Sequence, residues 1–209
     1  MDIGLVFSFL GASIILTLMP GPDNLFVLTE SVTKGQKNGI LISIGLCLGV
    51  LVHTIAAATG LSIIIQKSPL AFSIVKYLGA GYLFYLAFLS TKETQPKLDL
   101  TNKTNSEPLE VFPLIRKGFF MNVLNPKVSL FFIAFLPQFI TSNGLNITIQ
   151  MVILGLIFMM QAIIIFSLIA VLSSRLTPYV NSPKFWKITK WSKVIVLFTL
   201  GLTLALSTK

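Results

Sequence analysis

Residues 3–28 read IGLVFSFLGASIILTLMPGPDNLFVL. About 20 apolar residues cross a bilayer as an α-helix, at 1.5 Å per residue, so this run is long enough to span. It is interrupted by Pro20-Gly21-Pro22-Asp23. Proline inside a helix removes a backbone donor and clashes with the preceding turn. Two prolines around a glycine break or sharply kink the helix. In a membrane such a break is tolerated only where the freed carbonyls meet protein or water. The stretch therefore predicts a membrane helix broken beside a cavity, a device that transporters use to line substrate sites. The chain opens on Met1-Asp2, without a basic leader or a suitably placed small-residue cleavage site, so the run is expected to be a retained helix.

Outward from this run the chain repeats the theme. Of 209 residues, 54% are hydrophobic and 11% charged, against roughly 25% charged in an ordinary soluble domain. So few charges cannot cover a water-exposed surface. Five further apolar runs come after it: Gly39 to Ile65, Leu70 to Leu89, Gly118 to Ile140, Ile147 to Leu172, and a short one from Val194 to Leu206 that is expected to start near Lys190. The fourth is broken by Asn125-Pro126-Lys127. The expected fold is an all-α integral membrane protein of six transmembrane helices, one domain over residues 1–209. Residues 91–115 form a polar loop between two three-helix halves. Halves of three helices each must have opposite topology, which predicts an inverted three-plus-three repeat with broken first and fourth helices.

The formal charge of +9 does not point to nucleic acid, because the basic residues gather in the connections between apolar runs. Lys34, Lys37, Lys92, Lys97, Lys103, Arg116, Lys117, Arg175, Lys184, Lys187, Lys190 and Lys193 fall on one side; Lys67, Lys76 and Lys209 fall on the other. Basic loops stay cytoplasmic, so residues 91–115 are expected inside and both termini outside. Trp186 and Trp191 lie among the last lysines, where interfacial anchors are expected, and the Lys184 to Lys193 run reads as an ordinary positive-inside loop. The lone Cys47 sits in an apolar run, where it can form no disulfide within the chain.

The chemistry gathers at the two breaks. Asp23 lies roughly 7 Å inside the end of its run, and Ser13, Thr17, Pro20 and Asn24 share one helix face. That polar stripe, with Pro22, should point inward; the plainer alternative is a packing kink with Asp23 at the interface. Lys127 lies roughly 13 Å from the start of its run, where a lysine needs a partner, an aqueous cavity or a snorkelling stem. Asp23 is the obvious partner. Asn122, Asn125 and Ser129 form a polar face beside Pro126. On the second run Gly45, Gly49, His53, Ala56 and Gly60 share a face, and small residues at this spacing let helices pack closely. His53 is open between proton carrier and hydrogen-bonding packing residue. Gln161 is expected to face inward as a structural hydrogen-bonder. The sequence has no phosphate-binding loop, no metal-ligand spacing and no sequence-adjacent nucleophile and base. No enzymatic activity, cofactor or metal is expected, and any driving force is an ion or substrate gradient.

Taken in order, Met19-Pro-Gly-Pro-Asp23, the glycines Gly35, Gly39, Gly45 and Gly49 with His53 and Gly60-Leu61, Lys76-Tyr-Leu-Gly-Ala-Gly-Tyr-Leu83, Gly118-Phe-Phe-Met-Asn-Val-Leu-Asn-Pro-Lys127 and Phe135-Leu-Pro-Gln-Phe139 resemble the lysine exporter family of bacterial amino-acid efflux proteins, which includes the homoserine and threonine exporters. The resemblance implies a multi-pass inner-membrane exporter of a small amino acid or amino-acid derivative. A zwitterion needs an anionic site for its ammonium and a cationic one for its carboxylate; Asp23 and Lys127 offer both, and could pair with each other when no substrate is bound. Proton coupling is expected. The partners are then the substrate and the lipid bilayer, not nucleic acid, with a homodimer left open. The alternatives are efflux of another small polar solute or a metal cation, or a non-transport membrane assembly subunit.

Overall fold

The computed structural model describes residues 1–94, 110–141, 144–180 and 182–207. The described residues are helical, with short connections. In chain order the helices are α1 (Ile3–Leu18), α2 (Pro22–Lys34), α3 (Gln36–Ala56), α4 (Ser62–Lys67), α5 (Pro69–Thr91), α6 (Val111–Val123), α7 (Pro126–Leu130), α8 (Ile147–Val171), α9 (Ser173–Val180) and α10 (Pro183–Leu206). Four stretches are long and apolar enough to cross a membrane unbroken: Gln36–Ile64, Pro69–Thr91, Ile147–Val171 and Pro183–Leu206. Two more spans are bent pairs: Ile3–Leu18 with Pro22–Lys34 at 57°, and Val111–Val123 with Pro126–Phe139 at 50°. The architecture is that of a membrane protein of about six helices, broken in the first and fourth. Its exposed side chains include Phe7, Ile55, Leu78, Ile164 and Ile195, while Asp23, Asn122 and Gln161 are buried. This inversion of the soluble pattern is what lipid contact requires.

Local chemistry sets the helix ends. Asp2 accepts from Leu5 N–H at the start of α1, Ser68 from Ala71 N–H at α5, Asn125 from Lys127 N–H at α7 and Asn146 from Thr148 N–H at α8. Helices α2, α5, α7 and α10 each begin with proline, whose fixed φ suits the first turn and whose missing N–H costs nothing there. Gly35, at φ 97°, turns α2 directly into α3, a conformation that favours glycine. Single wider turns occur at Ala57–Leu61 and Phe131–Phe135, and they touch each other.

The structure moves two expected boundaries. The fourth span begins at Val111, not Gly118, and the sixth at Pro183, not Val194 or Lys190. Arg116, Lys117, Lys184, Lys187, Lys190 and Lys193 therefore ride on helices and not in loops. The lysines of α10 recur every third residue, and long stems let their charges reach water from a helix end. The expected loop at 91–115 lies largely outside the described residues, as do Lys97 and Lys103.

Helix α3 is the centre of the bundle, packing on α6, α8 and α2; α5 packs on α10, and α1 on α8. Counted by span, second meets fourth as fifth meets first, while second meets fifth and third meets sixth. Exchanging the two halves maps these contacts onto one another, but the packing of α2 on α3, first span on second, has no like counterpart between the fourth span and the fifth. The α3–α6 contact is backbone against backbone. A Cβ on Gly45 would stand 2.1 Å from Ile115 O, one on Gly118 2.3 Å from Ile42 O, and one on Gly49 2.7 Å from Asn122 Cβ. Gly60, expected to extend this packing face, does not: it is exposed with nothing near it, and Ala56 is exposed too. Helix α6 ends opposite His53, and the wider turn at Ala57–Leu61 rotates the remainder of the span away from that face.

Candidate functional site

A proline cannot donate to the carbonyl four residues before it. Pro20 thereby deprives Leu16 O of its helical donor, and Pro126 does the same to Asn122 O, which accepts instead from Asn125 N–H at 2.9 Å. Side chains from elsewhere in the bundle reach both. Lys127 Nζ donates to Leu16 O at 3.1 Å and to Met19 O at 3.3 Å. His53 Nε2 donates to Asn122 O at 3.2 Å, its ring lying 5.8 Å from that of Phe132. Lys127 thus closes the first span's break from the fourth span, and His53 closes the fourth's from the second.

Asp23 sits in the first turn of α2, only 2% exposed. Its Oδ2 accepts from Asn125 Nδ2 at 2.6 Å, and Asn125 Oδ1 in turn accepts from Lys127 N–H at 3.0 Å. The expected contact between Asp23 and Lys127 is not direct. The ion pairs among the described residues are Glu30–Lys34, Glu30–Lys117 and Glu93–Lys193. Asn125 stands between the two break charges, because capping α7 directs its amide towards Asp23 while Lys127 turns to the α1 carbonyls.

The inward polar stripe is present. Ser13, Thr17 and Asn24 are buried. Asn24 Nδ2 donates to Thr17 O at 2.9 Å, Thr17 Oγ1 donates to Ser13 O at 2.9 Å, and Gln161 Nε2 donates to Thr17 Oγ1 at 2.8 Å. Gln161, expected to face inward as a structural hydrogen-bonder, makes its bond to the stripe of the first span.

Pro20, Gly21 and Pro22 form the inner end of a cleft of about 870 Å³. Its walls are Lys92, Glu93 and Thr94 after α5, and Trp186, Lys187, Lys190, Trp191 and Lys193 on α10. Glu93 and Lys193 pair across it. Lys127 Nζ lies 3.6 Å from where a Cβ on Gly21 would stand, so the half-buried ammonium lies next to the glycine that lines the cleft. Pro126 is exposed at the start of α7. Away from the cleft, Phe9, Phe131, Phe132, Phe135, Phe139 and Phe158 stack ring to ring, with centroid separations of 5.3–6.2 Å. They fill the bundle beyond the breaks. The sequence places the start of the last helix near Lys190 and so does not foresee the cleft wall that α10 forms from Trp186 onwards. The Leu16 carbonyl was recoverable by counting back four from Pro20.

Residues 14–208 match a family model described as LysE type translocator. The chain is 30% identical to a membrane protein of Bacillus subtilis (strain 168), YrhP, over 97% of this chain and 99% of that one. It is 29% identical to a membrane protein of Vibrio cholerae over 100% and 98%. It is also 30% identical to the leucine efflux protein of Salmonella typhimurium over 85% of this chain and 83% of that one. No solved structure gives a significant match.

Proposed function

The chain belongs to the LysE type translocator family, and on that premise we propose that it exports a small amino acid from the cytoplasm across the bacterial inner membrane. One observation carries the reading. Two helix breaks, 102 residues apart, are tied by Asn125 into a single site holding one buried carboxylate and one half-buried ammonium, the two signs a zwitterion needs. The cleft leads to this site from the lysine-rich end of the bundle. Basic ends are cytoplasmic, so the cleft is the entry from the cell interior, both termini lie outside, and the phenylalanine stack closes the far side. The arrangement corresponds to an inward-open state of an inverted-repeat transporter. Asp23, with one oxygen unpartnered, is the group that exchanges a proton for substrate in each cycle.

The likeness to a leucine efflux protein makes leucine the first substrate to try. Cells lacking their own exporters are loaded with leucine-, threonine- or lysine-containing dipeptides, and the released amino acid is followed. Expression of the chain should lower internal accumulation of at least one amino acid, and Asp23→Asn should abolish the effect. Equal accumulation with and without the protein across the panel overturns the proposal.

A further inference from the structure

Thr17 fixes which way two buried amides face. Its carbonyl can only accept, so Asn24 must turn its NH2 towards it and leave Oδ1 outward. Its hydroxyl proton is already given to Ser13 O, so Oγ1 too can only accept, and Gln161 must likewise present its NH2 and leave Oε1 outward. Both amide oxygens are buried and unpartnered, with Asn24 8% and Gln161 7% exposed. Beside Asn24, Asp23 Oδ1 is buried and unpartnered as well. Three bare acceptors thus lie around the first break, with the Lys127 ammonium beside them as a donor already given to two backbone carbonyls. Acceptors left bare in a low dielectric are costly, so the set calls for a ligand rich in donors.

We infer that Asp23 Oδ1, Asn24 Oδ1 and Gln161 Oε1 take the three N–H groups of a primary ammonium, with Thr17 as the positioning residue that aims the amides. The inference rests on the amino-acid export reading and names the part of the substrate this half of the site holds. Lys127 supports the choice of occupant. Two of its three protons go to Leu16 and Met19 carbonyls, which leaves the third for a carboxylate. The site therefore demands a free, unacylated amino group and rejects N-acylated amino acids.

The test measures binding to the full-length protein in lipid nanodiscs by calorimetry. Leucine, threonine and lysine are each compared with their methyl esters and their α-N-acetyl forms, in sodium and in choline chloride. Free amino acids and esters should bind, whereas N-acetyl-leucine and N-acetyl-threonine should not. Thr17→Val and Gln161→Leu should each weaken binding about tenfold, the worth of one hydrogen bond to a charged group. Thr17→Ser keeps the hydroxyl and should bind as wild type does, which a purely steric role of Thr17 would not produce. Esters that bind while no free amino acid does would uphold the ammonium site and overturn the export reading. Free amino acids that bind unaffected by Thr17→Val and Gln161→Leu would overturn this inference and spare that reading. Equal binding of N-acetyl-leucine, a heat of binding for sodium alone, or silence from every amine would each overturn the inference.

Discussion

Asn125 donates its amide to the carboxylate of Asp23 at 2.6 Å, joining the two broken spans across 102 residues of sequence. The bond is buried and one-directional: Asn125 is the donor because its own oxygen is engaged in capping α7. Removing it leaves a buried carboxylate without that partner, at a cost of about 1–3 kcal/mol. Asn125→Ala should therefore lower the midpoint of thermal unfolding in detergent while the protein still inserts. Asn125→Asp should do worse by facing two carboxylates. Combining it with Asp23→Asn restores one donor and one acid, and should bring the midpoint back towards wild type. Additive losses in that double variant would mean the two side chains do not meet.

Lys127 predicts a different pattern. Its ammonium serves two α1 carbonyls, and hydrogen bonds to a charged group are worth about 1.5–3 kcal/mol. Lys127→Met should destabilise the protein by about that much and stop export. Neutralising Asp23 as well should not restore efflux. Export by Lys127→Met at the wild-type rate would remove the lysine from the mechanism.

The glycines of α3 divide sharply. Gly45→Ala places a methyl 2.1 Å from a backbone carbonyl and should cost about 1–3 kcal/mol through overpacking, seen as a lower yield of monodisperse protein. Gly60→Ala meets open space and should leave yield and stability within about 0.5 kcal/mol of wild type. Similar behaviour of the two variants would refute the close α3–α6 contact.

Orientation is open to chemical labelling. Cys47 is buried and is first changed to alanine. Lys37→Cys and Leu145→Cys then place single thiols at exposed positions at the two ends of the bundle. An impermeant maleimide should label position 145 in intact cells, and position 37 only after permeabilisation. The reverse result would turn the protein over in the membrane.

Hydropathy made most of the fold legible. The third and fifth spans lie within two residues of where the apolar runs put them, and the two proline breaks are where they were expected. The misplaced starts, Val111 and Pro183, have one cause: hydropathy counts lysines against a helix, whereas lysines at helix ends reach water by their stems. The site was half legible. Residue chemistry singled out Asp23, Asn125, Lys127 and His53, and helical spacing put Thr17 and Asn24 on one face. Their partners were harder to see because opposite charge alone suggested an Asp23–Lys127 pair. What decided the partners was backbone: a carbonyl orphaned by proline is as strong a claimant on a lysine as a carboxylate already supplied by an amide. Gly60 misled because a helix face says nothing of where the neighbouring helix stops.

The lysine that closes the first break comes after its two acceptors in the chain by 111 and 108 residues. At about 5–20 residues per second, a ribosome takes between roughly 5 and 20 s to cover that distance. Throughout that interval the nascent first half lacks the lysine that meets these two backbone acceptors in the finished protein. It is complete as a module only once the second half arrives. A chain stalled before Lys127 thus bears a chemical mark of incompleteness inside the bilayer. The order of synthesis is built into the final architecture.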